Sequence, residues 1–335
     1  MTDITIIEDD ALAALRRLND DGVLVDGCLT DPPYYLESIV KRFGRKQAAA
    51  KQGQDGRFTR LSDGFRGRQW DTDQNGYKIA HDPEFWRLVK QLIRPGGFCF
   101  AFSSPKTGHR QAVAMEDAGF IMHPLIGWLY GTGWPKAHSV TKFVPEATKW
   151  SGWYYGTQTQ KPALEPIYIG QVPFEGTGYG NVLTHGVGAF NIDECRIGDS
   201  GRWPANVMHD GSEPVVSLVG QAVSEYFGMF PPALYSQKAT KEDRAGSNHP
   251  SVKPVSLLRT LIRLIMPKGS TVIDPFAGSG TTGAAARAEG MNAILIEREE
   301  DYADIIRGRF DENLKSPLVE IIYRLLLQDD PAKLT

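Results

Sequence analysis

Near the end of the 335-residue sequence, Thr271-Val272-Ile273 runs straight into Asp274-Pro275-Phe276-Ala277-Gly278-Ser279-Gly280-Thr281-Thr282. Gly283 to Glu289 then reads as a helix and Ala293-Ile294-Leu295-Ile296-Glu297 as a second strand. Strand, glycine turn, helix and strand make one unit of a parallel sheet, because parallel neighbours need a crossover between them. After it the chain offers a helix at Tyr302–Phe310 and an apolar amphipathic tail at Val319–Leu327, and no further strand. A two-stranded sheet is not stable alone, so the sheet must be completed by strands from the N-terminal half.

Those strands are visible. Ile4-Thr5-Ile6-Ile7 leads to Glu8-Asp9-Asp10 and a helix over Ala11–Leu18, where acids at the helix start suit its dipole. Val23 to Thr30 is a second strand that stops at Asp31-Pro32-Pro33-Tyr34. Neither proline can donate a ladder hydrogen bond and each fixes its own φ, so the chain leaves the sheet stiffly there. Pro83–Ile93 reads as a helix stopped by Arg94-Pro95-Gly96-Gly97, then Phe98-Cys99-Phe100-Ala101-Phe102 as a buried strand. Gly108–Ala118 is a helix ended by Gly119, Ile121–Tyr130 a strand, and Leu164–Ile169 its partner. Val255–Ile265 is a helix. The alternation argues a mainly parallel sheet covered on both faces.

Two stretches break the rhythm. Lys41 to Arg68 carries Arg42, Arg45, Lys46, Arg57, Arg60, Arg66 and Arg68 among glycines with little apolar material, and reads as a basic loop. Gly170 to Gly246 is rich in Gly, Asn, Asp and His and reads as a small irregular insertion. Residues 131–160 are loop-like too; their Trp134, Trp150, Trp153, Tyr154 and Tyr155 suit either satellite packing or stacking on bases.

Composition narrows the class. Apolar content of 41%, charge of 23% and a net charge of -3 are those of a soluble globular chain, so a nucleic acid would have to be met by a local basic patch. Cys28, Cys99 and Cys195 are odd in number and far apart; they form no metal spacing and no disulfide framework, and read as buried small residues of a cytoplasmic protein. No metal site is expected, nor a signal segment or a run approaching the ~20 apolar residues of a membrane helix.

The glycine turn suits a nucleotide-like ligand, with Glu297 at the next strand end placed to accept both hydroxyls of a ribose. Gly278-Ser279-Gly280-Thr281-Thr282-Gly283 satisfies the dinucleotide fingerprint, so a nicotinamide dehydrogenase is an alternative. Asp274 counts against it, because a pyrophosphate wants bare amides where this turn has an acid. An acid suits a cationic ligand without phosphate, such as S-adenosylmethionine with its ammonium, sulfonium and ribose.

Asp31-Pro32-Pro33-Tyr34 upstream, with His249-Pro250-Ser251-Val252-Lys253-Pro254 and Asp274-Pro275-Phe276-Ala277-Gly278-Ser279-Gly280 downstream, resembles the amino-group DNA methyltransferases of the permuted beta order, the site-specific phage and bacterial type. The resemblance implies a circularly permuted Rossmann-like fold with a mostly parallel seven-stranded sheet. It implies a catalytic half at 1–170 containing the basic loop 41–70, a target-recognition region at 171–246, a cofactor-binding half at 247–312 and a helical tail at 313–335. The cofactor would be S-adenosylmethionine, lined by Asp274, Phe276, Gly278, Gly280 and Thr281, its ribose held by Glu297, its methionine end flanked by Lys253, and its adenine near Asp9 or Asp10. His249 is a loop residue or a further cofactor contact.

The exocyclic nitrogen of adenine or cytosine is a poor nucleophile because its lone pair is delocalised into the ring. Asp31 and the Pro32 carbonyl supply in-plane acceptors that favour a pyramidal nitrogen, Pro33 keeps them rigid, and Tyr34 can stack on a base flipped from the duplex. In the resembled family an aspartate before Pro-Pro-Tyr usually accompanies N6-adenine methylation and a serine N4-cytosine methylation, so adenine is expected. Double-stranded DNA is the expected partner, met by the basic loop; a homodimer and a partner restriction nuclease are left open.

Overall fold

The computed structural model describes residues 2–34, 51–52, 58–59, 78–131, 133–142, 144, 146–197, 201–209, 211, 213–219, 239, 241–244 and 252–311. The strands of its main sheet are β1 (Ile4–Glu8), β2 (Val25–Thr30), β3 (Ile93–Phe102), β4 (Ile121–Leu129), β5 (Leu164–Gln171), β6 (Val207–His209), β7 (Thr271–Asp274) and β8 (Asn292–Glu297). Their spatial order is β1-β8-β7-β2-β3-β5-β4-β6. The last two strands of this sheet in chain order therefore lie between its first two. β5 runs antiparallel to both its neighbours, and every other pairing is parallel.

This sheet has eight strands where seven were expected. The extra one is short β6, which pairs parallel with the edge of β4 and comes from the stretch read as an irregular insertion. That stretch also holds a helix, α4 (Gly178–His185), whose buried Asn181 donates to the Pro95 and Val187 carbonyls and ties it to β3. The Arg94-Pro95-Gly96-Gly97 stop differs as well. The helix ends at Leu92 and the strand starts at once, because the irregularity is absorbed by a register shift against β2 and a positive φ of 79° at Gly96.

Both faces are covered, and the alternation along the strands shows how. Phe98, Phe100 and Phe102 of β3 and Leu29 of β2 join one core; Cys99, Ala101 and Cys28 join the other. On the first face, α5 (Val255–Ile265) buries Leu257, Leu258, Leu261, Ile262, Leu264 and Ile265. On the second, α2 (Pro83–Leu92) buries Phe85, Trp86, Leu88, Val89 and Leu92, with Asp82 capping its start and Pro83 in its first turn. A fully buried Leu or Phe contributes ~1.5–3 kcal/mol, so these helices are held by tertiary burial rather than propensity. Four further helices are α1 (Ala11–Asp20), α3 (Gly108–Asp117), α6 (Thr281–Ala288) and α7 (Glu300–Phe310), and short helical pieces also occur at Glu213–Val219 and Lys241–Arg244. Cys28 and Cys99 are buried register partners on β2 and β3, as expected of small core residues, whereas Cys195 is half-buried.

The loop-like reading of 131–160 is corrected: Lys136–Ser139 and Tyr154–Gln158 form an antiparallel hairpin. In the basic loop, Lys51–Gln52 and Phe58–Thr59 form a short antiparallel pair. Arg42, Arg45, Lys46, Arg57, Arg60, Arg66, Arg68, His249 and the tail at 313–335 lie outside the described residues. Among the described residues no helix is long and apolar enough to cross a membrane, and no cluster of His, Cys, Asp or Glu is disposed to hold a metal ion.

Candidate functional site

The sheet order sets the site. β7 pairs with β2 through Val272↔Gly27 and Ile273↔Cys28, so the C-terminal ends carrying Asp274 and Asp31 are neighbours despite their distance in sequence. The Thr30 hydroxyl, one residue before Asp31, donates to Asp274 Oδ1 at 2.8 Å. Thr282 on the first turn of α6 donates to Asp274 Oδ2 at 2.6 Å, and the Phe276 amide donates to Oδ1 at 3.0 Å. Asp274 is thus a clamp between two strand ends and the following helix. All three donors are neutral and the side chain is buried, so burial pushes the carboxyl up to about 6 despite the hydrogen bonds.

The turn itself is left-handed at Gly278 (φ 55°) and Gly280 (φ 75°), where a Cβ on Gly280 would also crowd Ile306. Glu297 at the end of β8 braces it: Oε2 accepts the Gly278 amide at 2.8 Å and Oε1 the Glu299 amide at 2.9 Å. Burial outweighs these bonds and raises its carboxyl to about 7. The Phe276 ring packs 5.4 Å from Phe85, and Thr281 is buried with its hydroxyl 3.1 Å from that of Ser279.

The other half gathers at Asp31. Lys253, two residues before α5, places Nζ 2.5 Å from Asp31 Oδ2 and 3.3 Å from Glu165 Oε2 at the start of β5. The Tyr34 hydroxyl donates to Asp31 Oδ1 at 2.6 Å and stands 3.4 Å from Glu165 Oε2. The Tyr34 carbonyl accepts from the Thr107 hydroxyl at 2.9 Å, which anchors the loop to the start of α3. Lys253 also lies over the Phe102 ring, 4.9 Å from its centroid. Burial alone would drive the ammonium toward its neutral form, but Asp31 and Glu165 more than offset it and hold Lys253 above its ordinary value. Burial first, then the two carboxylates, pushes the Tyr34 phenol well up; Glu165 is raised by burial, with Lys253 opposing.

Most of the described residues singled out from sequence therefore fall into two adjoining groups, Asp31 to Tyr34 and Asp274 to Thr281 with Glu297. Lys253 sits on the Asp31 side of the boundary. Asp9 and Asp10 are engaged locally: Asp10 caps α1 through the Leu12 and Ala13 amides, and Asp9 pairs with Arg17. Glu165 was missed as a site residue. Its signal was the acid one position into a strand that turns out to run antiparallel, which brings its start to the same sheet edge as the ends of β2 and β3. Beyond that edge the hairpin and its flanks leave several rings open, with Trp134 80%, Trp153 60% and Tyr154 60% exposed, while Trp150 and Trp153 pack edge to face at 5.3 Å.

Comparison with known proteins identifies the family and the fold. The family model described as DNA methylase matches residues 25–308. Type II methyltransferase M.HindIII of Haemophilus influenzae is 25% identical over 227 residues, 65% of this chain and 64% of that protein. Type II methyltransferase M.HinfI of Haemophilus influenzae is 42% identical over 77 residues, 23% of this chain and 21% of that protein. The chain thus spans less than two thirds of the length of these curated relatives. Among solved structures, the M1.HpyAVI–SAM complex has a TM-score of 0.53 at 17% identity, covering 92% of this chain and 99% of that one. PvuII DNA methyltransferase, described as cytosine-N4-specific, has a TM-score of 0.50 at 16% identity, covering 97% and 93%. These two establish the fold, and the family match sets aside the dehydrogenase alternative. With the match running from β2 through α7, and so across both halves of the site, the chain belongs to the N6/N4 DNA methylase family.

Proposed function

We propose that this chain transfers a methyl group from S-adenosylmethionine to the exocyclic N6 of adenine in double-stranded DNA. The observation that carries the reading is the contact between the two halves: Thr30 hydrogen-bonds Asp274 at 2.8 Å, so an acceptor group for an amine stands directly beside a glycine turn. The turn fits the cofactor's chemistry, with left-handed glycines that keep side chains out and Glu297 placed for ribose hydroxyls. When bound, the cofactor supplies an electrophilic methyl on a sulfonium.

The chain's own residues supply the rest. Asp31 and the Pro32 carbonyl accept the two N–H bonds of the target amine and hold its lone pair out of the ring plane. Tyr34, fixed by its bond to Asp31, offers a ring face to a base swung out of the stack, which offsets an unstacking cost of about a few kcal/mol. The end of β1 lies on the adenine side of the cofactor, and Asp9 and Asp10 after it stand near the adenine without an essential contact, being engaged by Arg17 and by the first amides of α1. Arg42, Arg45, Lys46, Arg57, Arg60, Arg66 and Arg68 engage the phosphate backbone, and the exposed hairpin rings with Lys136 and Lys149 suit stacking and phosphate contact on the same edge.

Adenine is the proposed base because Asp31 precedes Pro-Pro-Tyr in a sequence resembling the adenine enzymes. Mass spectrometry of digested DNA after incubation with the purified protein should show N6-methyladenine. N4-methylcytosine without N6-methyladenine would overturn the choice of base, and neither product would overturn the function. Methylation-sensitive sequencing of DNA from expressing cells should report the recognition site.

A further inference from the structure

Glu165 stands in a closed ring of contacts. The Lys253 ammonium and the Tyr34 hydroxyl each reach both carboxylates, at 2.5 and 3.3 Å for Lys253 and 2.6 and 3.4 Å for Tyr34, so each Asp31 oxygen has its own partner. The side chains are largely enclosed: Lys253 is 9% exposed, Glu165 21% and Asp31 22%. Two carboxylates share one ammonium. A bare Asp31–Lys253 pair would be neutral and cheaper to enclose; among the described residues the second acid has no further cation in contact, which leaves a net negative charge at the place where burial makes charge expensive. Tyr130 on the adjoining strand end adds no charge, since burial and Glu165 raise its phenol to about 12.

We infer that Glu165 is a positioning residue of the methyl transfer, which shares the Lys253 ammonium with Asp31 and so leaves the amine-holding edge one net negative charge. The inference rests on the reading of Asp31 given above. In the transfer the nitrogen lone pair forms the new N–C bond, the C–S bonding pair stays on sulfur, and the nitrogen becomes cationic until one N–H proton passes to solvent. Positive charge thus moves from the sulfonium to the atom that Asp31 holds. A neutral edge gains little from that movement and an edge of charge minus one gains at each step, which is stabilisation of the transition state over the ground state. Without Glu165 the ammonium would be drawn wholly onto Asp31, which lowers its strength as an acceptor for the substrate amine.

Glu165→Gln keeps the shape and removes the charge. With a duplex containing the mapped site, the single-turnover rate should fall on the order of 10- to 100-fold, from one charge within ~5 Å at intermediate dielectric. Cofactor affinity should stay within about twofold and the melting temperature should be unchanged or raised. Glu165→Asp should recover part of the rate. A readout independent of turnover is the titration of the Lys253 ammonium by NMR in cofactor-free protein, which should move to lower pH in Glu165→Gln. An unshifted Lys253 titration, an unchanged rate, or a rate lost in step with cofactor affinity and melting temperature would overturn the inference. Asp31→Asn, run in parallel, separates the two readings. If it is inactive while Glu165→Gln is fully active, the inference alone fails; if it keeps full rate, the reading of Asp31 fails with it.

Discussion

Asp31 and Asp274 are the same residue type, each followed by proline, each at the C-terminal end of a parallel strand, on strands that pair with one another. Their surroundings differ in kind. Asp274 is 3% exposed and takes three bonds from neutral donors, Thr30, Thr282 and the Phe276 amide. Asp31 is partly open and its nearest partner is an ammonium. The first environment fixes a backbone; the second holds a charge where a ligand can meet it. Neutral hydrogen bonds do not cover the cost of enclosing a carboxylate, and the rise of Asp274 to about 6 records that deficit. Sequence motif alone does not separate a clamp from a presenting group; the partners do.

The comparison breaks most visibly at Asp31. Asp31→Ala should lower methyl transfer by at least ~1,000-fold while leaving cofactor affinity within about threefold, if the removed group holds the base, as proposed, and not the cofactor. The fold should survive, because Lys253 keeps Glu165 as a partner. Isothermal titration with the cofactor and single-turnover kinetics on DNA check the two halves separately. Lost cofactor affinity with retained turnover would reverse the assignment of roles.

Asp274→Ala should behave in the opposite way. It strips the acceptor from two buried hydroxyls and an amide, at an expected cost of about 2–4 kcal/mol in urea unfolding. Rate and cofactor affinity should fall together, because the same carboxylate holds the strand end before Asp31 and the turn before Gly278. A variant of normal stability with only its affinity reduced would make Asp274 a direct ligand of the cofactor instead of a clamp.

The legibility of these two acids in the sequence was unequal, and the reason is physical. Asp31-Pro32-Pro33-Tyr34 and the turn at Gly278 were readable because prolines and left-handed glycines are local devices whose effect does not depend on distant neighbours. The helices at 83–92 and 255–265 were readable from their buried stripes, and the N-terminal strands that complete the sheet were readable from their apolar, β-branched runs. β6 was not readable. It is three residues long and exists because β4 leaves an edge to pair with, a tertiary fact with no period of its own. Glu165 was hidden for a similar reason, since its place at the edge depends on the reversed direction of β5. Family resemblance implies that Lys253 flanks the methionine end of the cofactor; its contact with Asp31 is a further one that only the side-chain geometry shows.

Glu297 tests whether the glycine side depends on charge at all. Its folded value near 7 lies above the ordinary 4.5, so in the cofactor-free protein the ionised form is the disfavoured one. Stability from this group is therefore greatest when it is protonated and is lost as pH rises from about 4.5 through about 7. Ribose hydroxyls donate to the carboxylate and favour its ionised form, which gives affinity the opposite slope. Cofactor binding should tighten up to ~tenfold per pH unit between about 5.5 and 7 and level off above about 8. Glu297→Gln should flatten that dependence; a wild-type affinity independent of pH across this window would remove Glu297 from the ribose.

The smallest effect is expected at the acids after β1, and it extends the comparison to a third carboxylate. Asp10 resembles Asp274 in facing neutral amides, those of Leu12 and Ala13 at 3.0 and 3.2 Å, but it does so at an exposed helix start. At an exposed position there is no burial cost for those bonds to offset. Asp10→Ala should destabilise the protein by about 1 kcal/mol in urea unfolding and leave cofactor affinity within about twofold, because its engaged oxygen is turned into the helix. Asp9→Ala should cost less in stability, since its partner Arg17 is 60% exposed and the pair is solvent-screened. An affinity loss above tenfold in either variant, beyond what its stability loss explains, would place that carboxylate against the adenine of the cofactor. In that event the end of β1 would belong with Asp31 as a presenting edge, and Asp274 would stand alone as the clamp.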